Sequence, residues 1–98
     1  MRLFIVKEGE NMLYSILIRI DMFSAYQIVN FYNKEGDCIS NDTISLKELV
    51  DYVVNIYREH PELDHITLVS GSKNVLEGIE RKLKRNEELN VPIELYIR

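Results

Sequence analysis

The chain has a single cysteine, Cys38. No internal disulfide can staple it, and a reducing interior is the simplest compartment. That thiol is expected to be buried or inert. Long apolar runs are also missing, since nothing approaches the roughly 20 residues that crossing a bilayer requires. The opening Leu3-Phe4-Ile5-Val6 is cut short by Lys7, Glu8 and Glu10 before a signal-peptide core develops. Positive charge is in deficit too: 12 Lys and Arg against 16 Asp and Glu give a net charge of -4. That balance excludes a protein that coats nucleic acid through bulk positive potential, while leaving room for a local basic strip. Repeats, linkers and low-complexity segments are lacking. These absences predict a soluble, cytoplasmic protein with no membrane partner.

What is present suits one core. Ninety-eight residues with 46% hydrophobic content support a single domain over 1–98 and are too few for two. Residues 3–6 read as a short strand, followed by turn chemistry at Glu8-Gly9-Glu10-Asn11. Over residues 13–20 apolar positions alternate, with Tyr14, Ile16, Ile18 and Ile20 on one face and Ser15, Leu17 and Arg19 on the other. Residues 26–33 are aromatic and β-branched, and Asn33-Lys34-Glu35-Gly36-Asp37 predicts a hairpin into Cys38–Ile44.

The period then changes. Leu46, Leu49, Val50, Val53, Val54 and Tyr57 recur at helical spacing, with Ser45 as N-cap and His60-Pro61 as the stop. Residues 66–69 read as a buried strand. Ser70-Gly71-Ser72 turns into a second helix with Val75, Leu76, Ile79 and Leu83 as its apolar stripe. Asn90 and Pro92 break that helix before Ile93, Leu95 and Ile97 alternate in a last strand. The fold class is α/β, an α+β mixed sheet in the order β-β-β-β-α-β-α-β with an extra amino-terminal strand. Right-handed crossovers set its last two strands parallel.

This order resembles the ribonuclease H-like superfamily, over about residues 13–98. The run Ile66-Thr67-Leu68-Val69-Ser70-Gly71-Ser72-Lys73-Asn74-Val75-Leu76-Glu77-Gly78-Ile79 is similar to the family's fourth strand and following helix. Ser45-Leu46-Lys47-Glu48-Leu49 is similar to the start of its first helix, and Asp21 stands where its first aspartate belongs. The resemblance implies two magnesium ions, held by clustered carboxylates and used to cut RNA/DNA hybrids. Two such dications need several anionic oxygens to offset their repulsion. Asp21 and Glu48 are the catalytic candidates, as remnant metal ligands. Gly71 stands in place of the central aspartate, the loop reads Asp21-Met22-Phe23-Ser24, and the family's last helix and its acidic residue have no counterpart up to Arg98.

Each candidate also has an ordinary structural use. Glu48 with Ser45 fits a capping box, and Asp21 can simply end a strand. Ser70, Gly71, Ser72 and Lys73 form a candidate phosphate-binding turn at a helix start, against plain N-capping by Ser72. Arg81, Lys82, Lys84 and Arg85 are candidates for nucleic-acid binding, diluted by Glu77, Glu80, Glu87 and Glu88, with Glu77–Arg81 as an expected surface pair. His60, Asp64 and His65 suggest zinc but lack further ligands. Tyr14 and Tyr57 are expected in the core. The sequence therefore favours a small non-catalytic ribonuclease H-like binding or accessory domain without cofactor, of the kind a virus or mobile element would carry. Its partner would be a protein, a second copy, or a nucleic acid. One alternative is a nuclease using Mg²⁺ or Mn²⁺ that completes its site with Asp37, Asp42 or Asp51, or across a dimer. Another is an unrelated α+β interaction module.

Overall fold

The alternation of apolar and polar residues is realised as a sheet with one heavily buried face. In the computed structural model, which describes residues 12–98, the strands are β1 (Ser15–Arg19), β2 (Gln27–Tyr32), β3 (Cys38–Ile44), β4 (His65–Ser70) and β5 (Ile93–Ile97). Between them lie α1 (Leu49–Glu59), preceded by a 3-10 turn at Leu46–Glu48, and α2 (Lys73–Lys84). The expected strand at residues 3–6 lies outside the described residues. The result is an α+β domain with one mixed five-stranded sheet in the order β3-β2-β1-β4-β5. β1–β2 and β2–β3 pair antiparallel, while β1–β4 and β4–β5 pair parallel, as helical crossovers require.

The core lies between that buried face and the two helices. Ile16 and Ile18 of β1, Val29 and Phe31 of β2, and Ile66 and Leu68 of β4 all project to it and are buried. Leu49, Tyr52, Val53 and Ile56 of α1 and Leu76, Ile79 and Leu83 of α2 meet them from above. Each such side chain contributes about 1.5–3 kcal/mol on burial. The stripe of α1 is rotated from the expected one: Tyr52 and Ile56 are buried, while Val50 and Tyr57 stand at its margin. Tyr14 is likewise half-buried, set edge-on against His65 at a centroid distance of 5.9 Å.

The start of α1 departs from the capping-box expectation. The Ser45 hydroxyl donates to Glu48 Oε1 at 2.7 Å and caps no amide. The chain first winds as a 3-10 turn, with the Glu48 amide donating to the Ser45 carbonyl at 3.1 Å. Only at Leu49 does the α-helix begin. Its end is as expected, the His60 amide reaching the Ile56 carbonyl at 2.8 Å before Pro61.

Two polar side chains, both nearly inaccessible, fix the turns of the meander. Asn33 Oδ1 accepts from the Asp37 amide at 2.8 Å, and Gly36 supplies the positive φ of 90° that closes the β2–β3 hairpin. Gln27 is 2% exposed, and its Oε1 accepts from the Asp21 amide at 2.6 Å while Nε2 donates to the Ser24 carbonyl at 3.3 Å. It thus ties the β1–β2 loop to the sheet. Cys38 is exposed rather than buried, because it opens an edge strand. Among the described residues no helix is long and apolar enough to cross a membrane.

Candidate functional site

Parallel strands end on the same side of a sheet, so β1 and β4 deliver their carboxyl ends to one place. The Ile20 amide donates to the Val69 carbonyl at 2.8 Å, and the Arg98 amide to the Ser70 carbonyl at 2.9 Å. Just beyond lies a cleft of about 450 Å³ whose lining includes Asp21, Phe23, Ser70, Gly71, Ser72 and Arg98. The structure therefore brings Asp21 together with the Ser70-Gly71-Ser72 turn, two features far apart in the sequence.

The chemistry of that cleft is set by how its polar groups are already engaged. Asp21 Oδ1 accepts from the Phe23 amide at 2.9 Å, and its carbonyl accepts from the Ser24 amide at 3.1 Å. The carboxylate thus organises its own turn. The Ser72 hydroxyl caps α2 by accepting from the Val75 amide at 3.4 Å, and Ser70 Oγ accepts from the Ser72 amide at 3.3 Å. Gly71 is exposed, and a Cβ built there would meet nothing within 4 Å. Space does not forbid a side chain at this position; the missing carboxylate is a matter of residue type. α2 has no acidic residue in its first turn and carries Lys73 there, so the positive end of its dipole is reinforced rather than neutralised.

The remaining candidates lie elsewhere. Glu48 is exposed in the turn before α1, bonded to Ser45, and is not among the residues lining the cleft. Arg81, Lys82, Lys84 and Arg85 are exposed toward the far end of α2. The twelve residues of that helix span about 18 Å, so the basic run and the Ser70–Ser72 turn form no single patch. The ion pair on α2 joins Glu80 to Lys84 at 3.2 Å rather than Glu77 to Arg81. Lys82 instead borders an apolar groove between the helices, with Met22, Leu49, Val75 and Gly78.

The histidines engage their immediate neighbours. His60 Nδ1 lies 3.4 Å from Glu62 Oε1, and His65 Nδ1 lies 2.9 Å from Asp64 Oδ2. The hydrogen bond from His65 holds the Asp64 carboxyl below its ordinary range. The Asp64 charge pushes the Tyr14 hydroxyl upward, because a second anion beside it is disfavoured. No group of three or more His, Cys, Asp or Glu that could hold a metal ion occurs among the described residues.

The sequence marks Asp21-Met22-Phe23-Ser24 as a loop without showing that its apolar side chains stand in solvent at the cleft's mouth. Met22, Phe23 and Tyr26 are all exposed there, Phe23 completely. The only signal was an apolar pair directly after a strand-ending aspartate. Arg98 is the one basic side chain of the lining among the described residues, a placement that the sequence alone does not indicate. Fold and cleft together define a small α+β domain with a mixed sheet and a cleft beyond the carboxyl ends of β1 and β4. Comparison with protein families, with curated proteins and with solved structures found no match for this chain.

Proposed function

We propose that the chain is a ribonuclease H-like domain that works by binding rather than by hydrolysis. The architecture supports the first half: three strands meander antiparallel, and two more, each reached through a helix, extend the sheet in parallel from β1. One observation carries the second half. Among the described residues Asp21 is the sole carboxylate side chain lining the cleft, alongside Gly71 and Arg98, and it is bonded within its own turn. A pair of hard dications held there would lack the anionic oxygens that offset their repulsion. None of the substitutes weighed from sequence, Asp37, Asp42 or Asp51, is among the residues lining the cleft. Asp37 sits in the turn at the opposite end of β2 from Asp21, and Asp42 accepts from the Tyr52 hydroxyl at 2.9 Å and the Thr43 amide at 2.8 Å.

The test is incubation of the pure chain with RNA/DNA hybrid and Mg²⁺ or Mn²⁺, beside Asp21→Asn and Gly71→Asp. No cleavage by the wild-type chain is expected. Cleavage that disappears in Asp21→Asn would overturn the reading. Gly71→Asp, for which there is room, is expected to raise divalent-cation affinity at the cleft, measured by calorimetry.

A further inference from the structure

We infer that β5 is a self-complementary docking edge through which two copies of the chain pair antiparallel, centred on Tyr96. This rests on the binding reading above and names its partner. Among the described residues no strand pairs with the outer side of β5. The Ile66 amide donates to the Pro92 carbonyl at 2.9 Å and the Arg98 amide to the Ser70 carbonyl at 2.9 Å. The even-numbered residues therefore bond to β4, and by alternation Leu95 and Ile97 turn their N–H and C=O groups outward. Natural sheets blunt such an edge with lysine, bulges or polar cover. Here Pro92 precedes the strand and Glu94 and Arg98 flank its middle, no lysine or bulge interrupts it among the described residues, and Tyr96 and Ile97 are 57% and 59% exposed.

The order Glu94-Leu95-Tyr96-Ile97-Arg98 indicates what covers it. In an antiparallel pair centred on Tyr96, Glu94 stands opposite Arg98 of the second copy, and Arg98 opposite its Glu94. Leu95 stands opposite Ile97 twice, and the two Tyr96 rings adjoin. The outward backbone groups of Leu95 and Ile97 then meet in register, forming four hydrogen bonds. The charged pairs fall at non-hydrogen-bonded sites, where side chains approach most closely. Within one chain neither Glu94 nor Arg98 has an ion-pair partner among the described residues. The twofold axis leaves the helices of both copies on one side of a continuous sheet.

A pairing this short is weak by interface standards, so sedimentation equilibrium of the full chain should run from about micromolar to about millimolar concentration. A reversible dimer is expected. Glu94→Arg and Arg98→Glu, each placing like charges opposite one another, are expected to weaken it roughly tenfold. The double variant Glu94→Arg/Arg98→Glu is expected to restore it. A wild-type chain that stays monomeric, or a dimer indifferent to both single variants, overturns the proposal. So does protection of the Leu95 and Ile97 amides from hydrogen exchange in a monomer, since the chain would then cover its own edge. The nuclease assay is independent of these results: a monomer that cuts nothing removes the pairing alone, and a dimer that cuts hybrid removes only the non-hydrolytic reading.

Discussion

At one margin of the sheet, β3 presents Ser40, Asn41, Asp42 and Thr43, its pairing with β2 is interrupted by a register shift, and the Thr43 amide is taken by the neighbouring Asp42 carboxylate. At the other margin, β5 presents Leu95, Tyr96 and Ile97 with an unbroken register to β4. The β3 side is fastened to α1 by a polar bond, Tyr52 to Asp42. The β5 side rests on apolar packing under α2, helped by the Arg58–Glu88 pair and by Tyr57, whose hydroxyl donates to the Asn90 carbonyl at 3.3 Å. A strand that turns polar groups on its own backbone has little left to offer another chain. A strand held by apolar packing and by bonds made outside its own backbone keeps its outer hydrogen-bonding row.

The largest effect should come from removing the apolar packing. Leu76→Ala, at a fully buried position of α2, is expected to lower stability by about 2–5 kcal/mol in urea denaturation, and hydrogen exchange should show β5 loosening before β3. Asp42→Ala withdraws the acceptor from both Tyr52 and Thr43. A loss of about 1–3 kcal/mol is expected, with new association beyond a dimer in light scattering as the β3 edge opens. If Asp42→Ala leaves assembly unchanged, the contrast between the edges is not one of blocked amides.

Smaller changes probe the fastenings. Ser72→Ala removes the cap of α2 and is expected to cost about 1 kcal/mol, read from the denaturation midpoint. The smallest effect belongs to Arg58→Ala on the exposed surface. The hydrogen bond from the Arg58 guanidinium holds the Glu88 carboxyl below its ordinary range. The pair therefore stabilises the fold above the unfolded carboxylate pKa and loses that contribution as pH falls through the lower folded value. Wild type and Arg58→Ala should converge in acid and in high salt.

Much of the scaffold was legible because it depends on period and punctuation. Cys38–Ile44 and Ile93–Ile97 match their expected strands, and Ser72 caps its helix as the turn chemistry predicts. What escaped depends on which of two partners a side chain prefers. Ser45 and Glu48 have the spacing of a capping box, yet the hydroxyl donates to the carboxylate instead of accepting from an amide. Gln27 gives no hint that its partners are the Asp21 amide and the Ser24 carbonyl; an inward-facing glutamine in a strand is the one clue. In α1, spacing alone did not choose between Val50 and Tyr52 for the centre of the stripe, because that choice belongs to the sheet beneath. The cleft was half legible: Asp21 and Gly71 were singled out, while their meeting needs the parallel pairing of β1 with β4, and Phe23 and Arg98 enter only through it.

That same pairing governs the order in which the chain can fold. Ser15 of β1 aligns with Tyr32 of β2 but also with His65 of β4. The first contact closes a short loop, and the second must wait until a hairpin and a whole helix have been laid down. During synthesis, Ile16 and Ile18 therefore have a partner strand on only one side while the following segment emerges. The slow step of folding should be docking of β4 into that vacant side, and a lengthened α1–β4 loop should retard refolding more than a lengthened β2–β3 hairpin.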